Sequence, residues 1–235
     1  MRNLPKKYEV NKKIDKKNFL SSNLKPNEKK KLKESLKKVT LTHQIQGEEI
    51  PSIINDEYNC QVILFLDVEI DSMKNAKFIS EIIQNQFKPI CVLNIYDENK
   101  QRYSFAYKRL NIQENQNIII EYSILTKETS LFFVDATKEL IDKYLDYEEI
   151  LLRDNKLNFY LESMTKAYII SNTNNIETLI KSNVWYNHKK VKELFSLLID
   201  LEKLKALSIK TKVMKDRIAI NKDIKTVNEK IKNLI

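Results

Sequence analysis

The chain has 235 residues, 42% hydrophobic and 31% charged, with a formal net charge of +9. That balance suits a folded, water-soluble protein and argues against a disordered one. There is a single glycine, Gly47. P-loops and dinucleotide-binding turns need several, so that backbone can approach phosphate closely, and both motifs are excluded.

The charge is unevenly distributed. Residues 1–40 hold 14 basic and 4 acidic side chains, residues 41–150 hold 10 and 19, and residues 151–235 hold 17 and 9. An acidic centre between two basic ends implies segregated surfaces, suited to an acidic partner or to attraction between parts of the chain. Cys60 and Cys91 both lie in apolar runs and read as buried thiols of a reducing compartment. A zinc site would need both cysteines together with His43 and His188, at none of the usual short spacings, so no metal site is assigned. The first residues, MRNLPKKYEV, lack the apolar core of a signal peptide, and no stretch of 18 apolar residues occurs. A cytoplasmic protein with no membrane span is expected.

In chain order, residues 25–39 read as a short helix. Pro26 suits its first turn, and Leu32, Leu36 and Val39 fall on one face. Residues 39–45 alternate as a strand, with His43 on an otherwise apolar face. A connection follows, with a short strand near residues 50–54. Residues 60–70, CQVILFLDVEI, give the strongest strand signal. Both faces are apolar at the start, which places it centrally in a sheet. Asp71 or Ser72 can cap a helix over residues 73–87, with Ala76, Ile79, Ile83 and Phe87 as its stripe. Residues 88–96 make a second buried strand, and a helix between two such strands predicts a parallel pair. Residues 97–100 form a turn. Strands over 102–110 and 116–125 complete an antiparallel meander.

From about residue 132 the pattern is helical, with segments near 134–154, 156–171 and 175–182. The last 48 residues contain neither Gly nor Pro. Val191, Leu194, Leu198, Leu201, Leu204 and Leu207, and then a second set from Val213 to Leu234, recur at three- and four-residue steps. One or two long amphipathic helices are predicted, folded back as a hairpin or paired as a coiled coil. The fold class is therefore α+β. A mixed sheet of four to five strands with a crossover helix precedes a helical C-terminal region. Residues 1–130 form the sheet domain, with its basic N-terminal helix, and residues 131–235 the helical part.

The stretches LPKKYEVNKKIDKKNF (4–19), QVILF (61–65), KPICVL (88–93), SFAYKR (104–109) and RIAINKDIKTVNEKIKNL (217–234) resemble one prokaryotic family, the domain-of-unknown-function family 4391. Genes of that family tend to stand beside DNA methyltransferases and helicases of restriction or phage-defence type. The resemblance thus implies a pathway, and a helicase or methyltransferase as protein partner. It carries over no catalytic residues. The family's central strand often shows Glu-x-Gln, and the matching positions here hold Gln61 and Ile63.

Three chemistries are open to the remaining residues. The first is accessory binding. Lys30, Lys33 and Lys37 lie opposite the apolar stripe of the first helix, and Lys189, Lys190 and Lys192 add a second basic cluster. Both suit phosphate contact through counterion release. Arg, the commonest reader of guanine, is scarce, so backbone rather than base contact is expected. Trp185, Leu194, Leu198 and Leu201 are candidate partner contacts. The second is metal-dependent nucleic-acid cleavage, in which Asp56, Glu57, Asp67, Glu69 and Asp71 would hold Mg²⁺ on a restriction-nuclease-like core. Glu98-Asn99-Lys100 also has acid-x-Lys spacing, but in a turn. The third is a structural protein self-associating through the C-terminal helices. The favoured expectation is a non-catalytic accessory subunit of a restriction-modification or phage-defence system, with no cofactor.

Overall fold

Residues 63–70 are apolar on both faces at their start, and the computed structural model shows why: this strand lies inside the sheet. The structure describes residues 3–21, 23–111, 113 and 117–235. In chain order the elements are β1 (Glu9–Ile14), α1 (Pro26–Ser35), β2 (Leu36–Ile45), β3 (Ile53–Ile54), β4 (Asn59–Cys60), β5 (Ile63–Ile70), α2 (Ala76–Gln86), β6 (Ile90–Tyr96), β7 (Lys100–Leu110), β8 (Ile118–Leu125) and β9 (Thr129–Ser130). They are followed by α3 (Ala136–Tyr144), α4 (Lys156–Asn172), α5 (Ile176–Ile180), α6 (His188–Lys210) and α7 (Met214–Leu234).

Among the described residues the main sheet has seven strands, in the order β1-β2-β5-β6-β7-β8, with β9 beside the first residues of β7. It is α+β and mixed as expected, but larger than the four to five strands predicted. The main addition is β1, whose side chains are almost all exposed. An edge strand with no buried face leaves no alternation to read, and its lysines discourage pairing with another sheet. Among the described residues only β5 and β6 pair in parallel, Ile63 opposite Ile90 through Glu69 opposite Tyr96, and α2 connects them.

One sheet face packs on α1 and α2. Leu64, Leu66, Val68 and Ile70 of β5 meet Leu32 and Leu36 from the first part of the chain and Ile79 and Ile83 of α2. The helix expected to reach residue 39 ends at Ser35, and Leu36 and Val39 belong to β2 instead. Their spacing fits a helix, but pairing with the central strand and the β-branched run Val39–Thr40 decides for a strand.

The opposite face carries Phe105, whose ring lies 5.7 Å from that of Tyr160 on α4. Residues 156–171 of α4 are all buried, so this helix has no solvent stripe. Its polar side chains serve as staples. Lys156 Nζ donates to the carbonyls of Gly47 (2.8 Å) and Ile50 (2.5 Å). Gly47 itself sits at φ 88°, where only glycine is unstrained. Glu162 accepts the amides of Leu151 and Leu152 at 3.0 and 2.7 Å and pairs with Lys166 at 2.6 Å. These bonds hold residues 145–152 as a loop that buries Leu145, Tyr147, Ile150 and Leu152 where a helix over 134–154 was expected, and α3 covers only nine of those residues.

The chain divides into two units, residues 1–174 and 175–235. The boundary expected near residue 130 falls inside the first unit, because α3 and α4 belong with the sheet. In the second unit α6 and α7 form a helical hairpin, in which the Ser208 hydroxyl and Asn221 Oδ1 lie 3.1 Å apart. Among the described residues no helix is long and apolar enough to cross a membrane.

Candidate functional site

The acids of the central strand separate. Asp67 and Glu69 share the sheet face away from α2, opposite Asn94 and Tyr96 of β6. Asp67 Oδ1 accepts from Asn94 Nδ2 at 3.0 Å. Together with Thr42, His43 and Tyr103 these two line a small pocket of about 200 Å³. Burial holds the His43 imidazole below its ordinary pKa, against the pull of Glu9 and Asp67. Asp71 turns away. It lies past the end of β5 and accepts the Ser72 amide (2.7 Å) and Asn75 Nδ2 (3.0 Å). Asp56 and Glu57 lie in the turn between β3 and β4, at the other end of β5. Asp67 is the fifth of the eight residues of β5, which sets it roughly 13 Å along the strand from Ile63.

Glu98 and Lys100 lie at a turn fastened by Asp97. Its carboxylate accepts the amides of Asn99, Lys100 and Met73, each at 2.9 Å. Burial pushes the Asp97 pKa up, but these donors outweigh it and hold the carboxyl below the usual range. Lys100 itself is engaged with Glu128 at 2.7 Å. Among the described residues no three His, Cys, Asp or Glu side chains are grouped so as to hold one metal ion.

The lysines come together. Leu32 anchors α1 in the core at 1% exposure, which leaves Lys30 and Lys33 in solvent. Lys37 is exposed at the start of β2, 3.6 Å from Glu98. Beside α1, the end of β1 and the turn Lys16–Phe19 bring in Lys13, Lys16 and Lys17. These three and Lys33 rim a cavity of about 700 Å³ floored by Leu20, Leu32 and Leu36. Asp15 caps the turn by accepting the Lys17 amide, and Lys16 Nζ donates to the Leu36 carbonyl at 2.7 Å. Lys13, Lys16 and Lys17 were missed because a tertiary pairing places them. Their one signal was the run NKKIDKKNF.

The second unit divides differently. Lys189, Lys190 and Lys192 are exposed in the first turn of α6, where Asn187 Oδ1 accepts the Lys189 and Lys190 amides at 3.0 and 3.4 Å. Trp185, Leu194, Leu198 and Leu201 are all buried, and the indole of Trp185 donates to the Leu179 carbonyl. These four are core residues, not an open partner surface. The apolar side chains left exposed in this unit are Leu207, Ile209, Val213, Met214 and Ile218, around the turn between α6 and α7, and Tyr186.

A third cavity, of about 460 Å³, lies at the start of β5 and β6. It is lined in part by Tyr58, Cys60, Gln61, Lys88, Lys108 and Arg109. Its cationic groups are largely committed. Lys108 Nζ donates to the carbonyls of Phe87 (2.7 Å) and Pro89 (3.0 Å), and Arg109 Nε to Glu121. Burial pushes the Cys60 thiol up to about 12 and the Lys108 amine down. A thiol so raised is not a nucleophile near neutral pH.

The model of the family described as a domain of unknown function (DUF4391) matches residues 3–231. The chain belongs to that family. No curated protein and no solved structure matches the chain. Three of the stretches that carry the family resemblance, QVILF, KPICVL and SFAYKR, contribute to the cavity at the start of β5, and Gln61 stands on its wall.

Proposed function

We propose that this protein is a non-catalytic accessory subunit of a prokaryotic restriction-modification or phage-defence system, acting by binding a protein partner and nucleic-acid phosphates. The pathway is what the family resemblance implies. The binding chemistry is carried by one observation: Lys13, Lys17, Lys30, Lys33 and Lys37 are exposed on adjoining elements that are themselves anchored in the core. Cations fixed on a rigid surface bind a polyanion by releasing its counterions, at little further ordering cost. Asp56 and Glu57 lie before β5, Asp67 and Glu69 in its second half and Asp71 past its end, and this dispersal of the acids that cleavage would need supports binding over catalysis.

The test is fluorescence anisotropy with labelled duplex and single-stranded DNA. Replacing Lys30, Lys33 and Lys37 by Glu is expected to weaken binding by about tenfold or more, uniformly across sequences. Unchanged affinity would remove the nucleic-acid half of the proposal. Cleavage of either substrate with Mn²⁺ or Mg²⁺, abolished in Asp67→Ala, would replace it with the nuclease reading.

A further inference from the structure

Residues Phe132, Phe133 and Val134 are 70%, 75% and 70% exposed. Three consecutive apolar side chains in solvent are unusual on a soluble unit. A slack loop would fold them inward, but this one is fastened. Ser130 Oγ accepts the amides of Phe132 and Phe133 at 3.1 and 3.2 Å. The Leu131 amide donates to the Asn99 carbonyl at 2.9 Å. The buried Lys138 Nζ donates to the carbonyls of Ser130 and Leu131 at 2.8 and 3.2 Å. Asp135, the next residue after Val134, caps α3 by accepting the Lys138 amide. The backbone is therefore preorganised to present its phenylalanines outward, the condition under which an aromatic anchor binds at low entropic cost.

The surroundings of this knob are acidic. Asp135 and Glu139 follow it in the chain, and the Asn99 contact brings beside it the turn with Glu98, which pairs with Lys37, and Lys100, which pairs with Glu128. Its complement is an apolar hole with a basic rim. The cavity of about 700 Å³ with Leu20, Leu32 and Leu36 at its floor is such a hole, its edge formed by Lys13, Lys16, Lys17 and Lys33 against one acid, Asp15. Both features lie at the same end of the sheet. The hole is at the end of β1 and start of β2, and the knob follows β9, which pairs with the start of β7. Six strands in order, β1, β2, β5, β6, β7 and β9, set them roughly 24 Å apart. A two-fold axis at this end of the sheet would seat each copy's phenylalanines in the other's hole and close a dimer.

We propose that the chain forms a two-fold dimer in which Phe132 and Phe133 of one copy occupy the lysine-rimmed cavity of the other. This goes beyond the accessory-subunit reading and does not depend on it, since dimerisation is measured without nucleic acid. Sedimentation equilibrium of the full chain at low salt should show a dimer that dissociates on dilution. The double variant Phe132→Asp, Phe133→Asp and the rim variant Lys13→Glu, Lys17→Glu should each self-associate about tenfold more weakly or worse. All four positions are exposed, so circular-dichroism melts at concentrations where wild type is monomeric should stay at the wild-type value. The deciding sample is the mixture. The first variant keeps its hole and the second its knob, so equimolar mixing should restore a one-to-one dimer held by one remaining contact. A wild-type protein that stays monomeric, variants that dimerise like wild type, or a mixture that stays monomeric would each overturn the proposal. The variant Lys30→Glu, Lys37→Glu, which leaves the cavity rim intact, separates the two proposals: it should lose DNA affinity yet dimerise like wild type, and weakened dimerisation there would overturn the cavity as the contact.

Discussion

Glu162 is fully buried on α4, yet it answers three donors, the amides of Leu151 and Leu152 and the ammonium of Lys166. Removing one partner of such a group strands the others in a low dielectric. Glu162→Ala should therefore destabilise the protein by about 3–5 kcal/mol, read as a lower urea midpoint. Glu162→Gln, which keeps an acceptor for one amide, should cost less. A loss below about 1 kcal/mol for the alanine variant would mean that solvent reaches the site. His43 gives a pH signature. Its folded pKa lies below the ordinary value because of burial. The unfolded chain then binds the proton more readily, so this residue lowers stability as pH falls from about 6.5 through the folded pKa. Asp97 acts in a separate window. Its contribution is present above the ordinary carboxylate range and is lost as pH falls through its depressed value. His43→Gln should flatten the urea midpoint between pH 7.5 and pH 5. An unchanged slope would show that the imidazole is solvated.

At the scale of elements, legibility followed burial pattern. The strands over residues 63–70 and 90–96, and the helix between them, could be read because each has a buried face with its own period. The edge strand β1 could not, since a strand with no buried face writes no period. Residues 145–152 misled in the opposite direction. Tyr147, Ile150 and Leu152 are buried at spacings that imitate a helix, while side-chain acceptors on α4 satisfy part of the loop's backbone. The polar staples were illegible for the same reason. Lys108, Lys138 and Lys156 each satisfy two backbone carbonyls far from ordinary lysine surroundings, and nothing in a lysine's neighbours in sequence reports that. Lys108→Met keeps the length of the side chain but leaves the Phe87 and Pro89 carbonyls unanswered. It should cost about 2–3 kcal/mol in a urea melt, with the loss of a charge-assisted bond as the cause. A neutral effect would show that burial of the ammonium offsets its bonds.

For the whole molecule, the first unit concentrates its lysines on β1, the turn after it, α1 and the start of β2, whereas the acids gathered in the middle of the sequence are dispersed by the fold. The charge runs in the sequence foretold the first and could not foretell the second, because the strands and turns, not composition, decide where along β5 the acids fall. The central claim is that the lysine surface binds nucleic-acid phosphates. It is tested most directly by measuring duplex affinity against salt. About four or five phosphate contacts would give a slope of log K against log salt near −4, reduced by about 1 for each lysine removed from Lys30, Lys33 and Lys37. Affinity independent of salt, or a slope that these substitutions leave unchanged, would contradict it.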